Sequence, residues 1–121
     1  MLHTESITSR TLETLKQLMR DETLQDFFLV GGTALALYMG HRKSIDLDLF
    51  TLHSFDAPRM RAYLTDRYGL SNAFVRKDTV KGTIAEIKID CITYAYPLLE
   101  RVHEEGGIRL CSLRDIAAMK L

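Results

Sequence analysis

Hydrophobic side chains recur at helical spacing in three parts of the chain. Leucine and methionine at every third or fourth position predict an amphipathic helix over residues 8–21. A compact helix is predicted over residues 33–39, with Gly40 placed to end it. Asp56 and Pro58 are typical of a helix start, and the apolar spacing that follows continues this third helix to Gly69.

Short apolar or alternating runs predict the strands. They lie at residues 27–30, 45–52, 74–77, 83–94 and 108–111. The first is continuous and apolar, which predicts a buried strand that enters a tight turn at Gly31 and Gly32. We expect the third and fourth to pair around Lys81 and Gly82. Because strands and helices mix without strict alternation, the fold class is α/β or α+β with a mixed sheet.

The C-terminal end carries a helix-start signal. Ser112 and Asp115 form a capping-box pattern, and only about two helical turns follow before Leu121. Isolated helices this short are marginal. Two interpretations stay open: the helix continues in a segment missing here or supplied by a partner, or it is a short terminal helix docked on the sheet.

Composition limits the class of protein further. A chain of 121 residues that is 46% hydrophobic suits one domain, residues 1–121, with one core. The 16 basic and 16 acidic side chains cancel, so no global field recruits nucleic acid or a membrane. Cys91 and Cys111 are expected to be reduced and buried. With no leader pattern and no apolar run of membrane-spanning length, we expect a cytoplasmic protein without membrane contact.

Two aspartates interrupt the predicted strand at residues 45–52. Side chains alternate along a strand, so Asp46, Asp48 and Phe50 share one face, with the two aspartate Cα atoms roughly 6.5–7 Å apart. Aspartate is disfavoured in strands, and like charges on one face repel. Such departures indicate a functional site, and carboxylate oxygens suit Mg²⁺ or Mn²⁺. The alternative is an edge strand whose polar face meets water.

Gly31, Gly32 and Thr33 follow a buried strand and open a helix. This geometry presents backbone N–H groups and the positive helix end to an anion. Alone, it is more typical of an ordinary strand–helix turn, and neither Walker nor Rossmann spacing follows. A phosphate-binding turn and a carboxylate pair about 15 residues apart together predict a nucleoside triphosphate site.

Three segments in order, GGTALAL, HRKSIDLDLF and DIAAMKL, resemble the AbiEii-type nucleotidyltransferases. These are toxin components of type IV toxin–antitoxin systems, within the DNA polymerase β-like nucleotidyltransferase superfamily. The resemblance spans about residues 27–121 and implies a nucleotidyltransferase-like mixed sheet flanked by helices. It also implies metal-dependent transfer of a nucleoside monophosphate to an acceptor hydroxyl. Family members continue into an Arg- and Asp-bearing helical region, which we expect to be missing from these 121 residues.

The resemblance and the charge pattern supply candidate site residues. The candidates for metal binding and catalysis are Asp46, Asp48 and Asp90. The candidates for nucleotide binding are Gly31, Gly32, Thr33, Arg42, Ser44 and Lys120. Simpler roles stay open for three of them: Asp90 as an ion partner of Lys88, Arg42 in a solvated basic corner, and Lys120 as a surface lysine.

The partners implied by the resemblance are a nucleoside triphosphate, a tRNA acceptor and an antitoxin protein. One rival is a phosphotransferase with Asp46 as nucleophile, but that class places a hydroxyl residue where this chain has Phe50. A second rival, from a different class, is a catalytically inactive domain that binds nucleotide or a partner protein.

Overall fold

The computed structural model describes residues 1–40 and 46–119, which form four α-helices and one seven-stranded mixed sheet. The helices are α1 (Ser9–Arg20), α2 (Gly31–Met39), α3 (Ala57–Tyr68) and α4 (Leu113–Met119). The strands are β1 (Phe28–Val30), β2 (Leu47–Thr51), β3 (Ser71–Arg76), β4 (Thr79–Ile84), β5 (Ile87–Thr93), β6 (His103–Glu105) and β7 (Ile108–Leu110). The predicted fold class is therefore confirmed.

The strands run in the order β3-β4-β5-β2-β1-β7-β6. The pairs β2–β5 and β1–β7 are parallel, and the other four pairs are antiparallel. The central strands β5, β2 and β1 therefore come from distant parts of the sequence. Their register decides which side chains meet at the middle of the sheet.

The predicted helices are confirmed, and their ends follow the expected capping chemistry. The Thr8 side chain accepts a hydrogen bond from the Thr11 N–H at 3.1 Å, and the Asp56 carboxylate accepts one from the Arg59 N–H at 3.1 Å. Gly40 ends α2 in the left-handed conformation, with φ of 72°. The second helix starts at Gly31, two residues earlier than predicted, so the glycines form its first turn.

The predicted pairing of two strands around Lys81 and Gly82 is wrong. Both residues lie inside β4, which forms one hairpin with β3 and a second with β5. The second turn is made by Ala85 and Glu86, which both have positive φ, at 51° and 68°. Two-residue turns of this kind normally carry asparagine, aspartate or glycine. The sequence therefore gave no turn signal where the chain turns, and a false one at Gly82.

The sheet has one closed face and one partly open face. Leu47, Leu49 and Ile89 point into the main core, which the apolar sides of α1 and α3 cover. Phe50 and Val30 point the other way, into a smaller cluster under α4 and the chain that leads to it. This alternation confirms the predicted facing of the second strand.

Cys91 and Cys111 are buried free thiols, and burial raises the pKa of both to about 12. The prediction of reduced, buried cysteines is confirmed. Within residues 1–40 and 46–119, the helices are all too short or too polar to cross a lipid bilayer.

Candidate active site

Gly31 lies against the carboxylate of Asp48. A Cβ atom added to Gly31 would stand 2.4 Å from Asp48 Oδ2, far inside contact distance. Gly31 also has a φ of +74°, which glycine adopts without strain. The register explains the meeting, because Val30 at the end of β1 pairs with Asp48 of β2. Glycine is therefore required here for two reasons, and it lets the helix start reach the acidic strand.

Asp48 and Asp90 are neighbours across the parallel pair β2–β5, where they are direct register partners. Their side chains consequently lie on the same face of the sheet, away from the main core. Asp48 is partly buried, and burial raises its pKa to about 6, with the carboxylates of Asp90 and Asp46 adding to the rise. The fold holds these acidic groups close together, and a bound cation would relieve the repulsion between them.

Asp46 precedes β2 and is exposed to solvent. Its backbone carbonyl accepts a hydrogen bond from the Thr33 hydroxyl, which is buried in the first turn of α2. Thr33 thus joins the helix start to the acidic strand. The structure places this predicted nucleotide-binding residue beneath the turn, with its hydroxyl engaged by the protein.

The donor chemistry fits a hard divalent cation. Mg²⁺ is usually held by one or two carboxylates together with substrate phosphates, rather than by a complete protein cage. Asp48 and Asp90 supply such a pair. The residues that the structure describes contain no group of three or more acidic, histidine or cysteine side chains that could hold an ion, at this site or elsewhere. A site of this kind would be completed by the substrate.

Three predicted site residues lie outside the described residues, namely Arg42, Ser44 and Lys120. The other predicted residues divide into two groups. Gly31, Asp48 and Asp90 are brought together, with Gly32 in the same helical turn. Asp46 adjoins this group through its charge and through Thr33.

Lys81 is a site neighbour that the sequence-based interpretation missed, because it was assigned to a turn. It stands directly opposite Asp90 on β4. The strand alternation of residues 79–84 contained the signal, but the glycine at position 82 obscured it.

Comparison with known proteins gives the family of the chain. The family model described as "Nucleotidyl transferase AbiEii toxin, Type IV TA system" matches residues 13–111. An uncharacterized Aquifex aeolicus protein, aq_aa25, is 34% identical over 112 residues, which are 89% of this chain and 54% of that protein. The chain therefore spans about half the length of this relative.

Two solved structures show the same fold. A crystal structure from Helicobacter pylori, of a candidate nucleotidyltransferase, matches with a TM-score of 0.57 at 21% identity, over 93% of this chain and 58% of that one. A tRNA-processing enzyme in an apo form matches with a TM-score of 0.60 at 16% identity, over 93% of this chain and 35% of that one. With the family model covering most of its length, the chain belongs to the AbiEii nucleotidyl transferase toxin family of type IV toxin–antitoxin systems.

Proposed function

We propose that the protein transfers a nucleoside monophosphate from a nucleoside triphosphate to an acceptor hydroxyl, with a bound divalent cation. The observation that carries the proposal is the meeting of Asp48 with both Gly31 and Asp90. It sets a glycine-lined helix start beside a pair of carboxylates on one face of the sheet. Phosphate and cation are the two ligands that these features favour.

Each residue has a distinct task in this proposal. Asp48 and Asp90, with Asp46 beside them, would hold Mg²⁺ or Mn²⁺, which when bound neutralises charge on the triphosphate and the leaving pyrophosphate. The N–H groups of Gly31 and Gly32 would donate to phosphate oxygens. Thr33 would keep the start of the acidic strand in place through the Asp46 carbonyl.

The transfer itself is a displacement at the α-phosphorus atom. The acceptor oxygen forms a new P–O bond while the bond to the β-phosphate oxygen breaks, and pyrophosphate leaves. Asp90 would accept the proton of the attacking hydroxyl. Asp48 needs to be ionised to hold a cation. Since burial and the neighbouring carboxylates raise its pKa to about 6, cation binding should strengthen as the pH rises through that value.

The acceptor and the biological role are proposed from the comparisons. Type IV toxin–antitoxin membership favours an antitoxin partner. The likeness to a tRNA-processing enzyme favours tRNA as the acceptor, which would place the reaction in the cytoplasm. Arg42, Ser44 and Lys120 remain candidates for contacts to the nucleotide.

A second candidate function is nucleotide binding without turnover, by a domain that serves a partner protein. The observation that favours it is that the described residues bring together a carboxylate pair, Asp48 and Asp90, but no group of three such side chains that could hold an ion.

The experiment that separates these functions combines binding with turnover. The protein is mixed with Mg²⁺ and each of ATP, CTP, GTP and UTP, and thermal stabilisation, pyrophosphate release and label transfer to total tRNA are measured. Transfer supports the first function, and stabilisation without pyrophosphate supports the second. Asp48→Asn should lower transfer about 10³-fold, since several kcal/mol of charge stabilisation are lost.

The matched control is Asp66→Asn. Asp66 is exposed on α3, which packs against the opposite face of the sheet. This variant should behave like the wild type. Equal losses in both variants, or an unchanged Asp48→Asn protein, would count against the proposed site.

A further inference from the structure

Lys81 completes a row of charged residues across three neighbouring strands. It is the direct register partner of Asp90 on β5, and Asp90 is the direct register partner of Asp48 on β2. Directly paired residues point to the same face of a sheet. A cation therefore stands at one end of the row, on the face that carries the acidic pair.

Gly82 explains why the lysine is held there. A Cβ atom at Gly82 would lie 2.6 Å from Leu70 Cδ1 and 2.9 Å from the Ser71 carbonyl oxygen. The missing side chain leaves room for Leu70 and Ser71 beside β4, where the register between β3 and β4 shifts. The strand thus continues through this point, and Lys81 sits within the ladder opposite Asp90 rather than in a turn.

In the part of the chain that the structure describes, the Lys81 ammonium group does not form an ion pair. Among residues 1–40 and 46–119, the ion pairs within 4.0 Å do not include Lys81, and its side chain is exposed. As the register partner of Asp90, Lys81 lies on the face of the sheet that carries the acidic site, and its ammonium group remains able to bind an anion.

We propose that Lys81 binds a phosphate group of the substrate at this site. The proposal rests on the proposed function, because it assumes that a phosphate-bearing substrate lies over Asp48 and Asp90. An ammonium group is a compact point charge that suits phosphate. The phosphate belongs either to the triphosphate or to the backbone of an RNA acceptor, and the two sources make different predictions.

The test compares Lys81→Met, Lys81→Arg and the control Lys77→Met with the wild type. Lys77 is an exposed lysine in the turn between β3 and β4, outside the ladder that pairs Lys81 with Asp90. Affinity for each nucleoside triphosphate and for pyrophosphate is measured with Mg²⁺, and KM for tRNA is measured by label transfer. A charge-assisted hydrogen bond corresponds to a loss of about 10- to 100-fold.

If Lys81 holds the triphosphate, Lys81→Met weakens nucleotide and pyrophosphate binding by that factor. If it holds the acceptor, these affinities stay unchanged and KM for tRNA rises instead. In both cases Lys81→Arg retains most of the binding, and Lys77→Met matches the wild type.

Three outcomes overturn the proposal. One is a Lys81→Met protein that keeps wild-type affinity for both substrates. Another is an equal loss in Lys77→Met, which would show only a general effect of net charge. The third is a wild-type protein that binds neither nucleotide nor pyrophosphate, and this outcome alone overturns the proposed function as well.

Discussion

Asp21 and Asp48 are both partly buried aspartates, but the chain surrounds them with opposite kinds of group. The Asp21 carboxylate accepts hydrogen bonds from the Tyr63 hydroxyl at 2.7 and 2.9 Å, from the Tyr68 hydroxyl and from the Thr23 N–H at 2.9 Å. Burial acts to raise the pKa of Asp21, but these donors outweigh it, and the pKa is lowered.

Asp48 has two other carboxylates acting on it, those of Asp90 and Asp46. Burial raises its pKa to about 6, and Asp90 and Asp46 add to the effect. Asp21 ties the end of α1 to α3 across the closed face, whereas Asp48 lies on the opposite face of the sheet. The difference teaches that the fold supplies donors to the carboxylate that joins its helices, whereas it places carboxylates beside Asp48 with only a partly opposing charge from Lys81.

The largest expected effect comes from filling the space beside Asp48. Gly31→Ala should lower the free energy of unfolding by about 3 kcal/mol, because left-handed strain of about 1 kcal/mol adds to overpacking of about 2 kcal/mol. Gly69→Ala is the matched control, since Gly69 has a nearly equal φ of 72° and no atom within 4 Å of the added Cβ. It should lose only about 1 kcal/mol. Equal losses in urea unfolding would contradict the close approach of Asp48.

The next largest effect is expected at Asp21, whose carboxylate accepts hydrogen bonds from the protein. Asp21→Asn removes a charge that accepts hydrogen bonds from two tyrosines, so the free energy of unfolding at pH 7 should fall by about 2 kcal/mol. Because the pKa of Asp21 is lowered in the folded state, the wild-type advantage should disappear as the pH falls through that lowered value. A loss that persists in full in strong acid would show that packing, rather than charge, is responsible.

Asp48→Asn should change the free energy of unfolding in the opposite direction to Asp21→Asn, and by a smaller amount. The pKa of Asp48 is raised from the ordinary 3.8 to about 6, so the folded state prefers the protonated form, and the wild type loses stability as the pH rises between these two values. The variant should be more stable than the wild type at pH 8 by about 1 kcal/mol, after allowance for solvent screening. Below about pH 3, where Asp48 is protonated in both the folded and the unfolded state, the two proteins should unfold alike. A variant less stable than the wild type at pH 8 would break the comparison with Asp21.

The smallest effect should come from the cation alone. At about five times its Kd, Mg²⁺ should stabilise the wild type by about 1 kcal/mol at pH 8. It should have little effect on the Asp48→Asn protein and a full effect on Asp21→Asn. Thermal unfolding with and without Mg²⁺ measures this, and equal stabilisation of all three proteins would indicate nonspecific binding.

The sequence was informative where local chemistry decides the structure. The caps at Thr8 and Asp56 and the left-handed Gly40 marked the helices, and the alternation around Asp48 gave the correct face. These features depend on residues close together in the chain.

The sequence was less informative where distant segments decide the structure. The turn at Ala85 and Glu86 relies on positive φ in residues that rarely adopt it, and the tertiary fold imposes that conformation. Gly82 was interpreted as a turn signal, but glycine is needed there because Leu70 leaves no room for a side chain. The place of Lys81 beside Asp90 follows from this register and could not be read from spacing.

The parallel pairing of β2 with β5 has a consequence for how the protein is made. Asp48 and Asp90 become neighbours only after α3 and both hairpins have been laid down between them, so the chain must close a long loop first. A growing polypeptide that has not yet reached position 90 holds one of these carboxylates without the other. The two carboxylates therefore begin to repel each other only when the sheet is complete. Any cation affinity that needs both of them arises at the same stage.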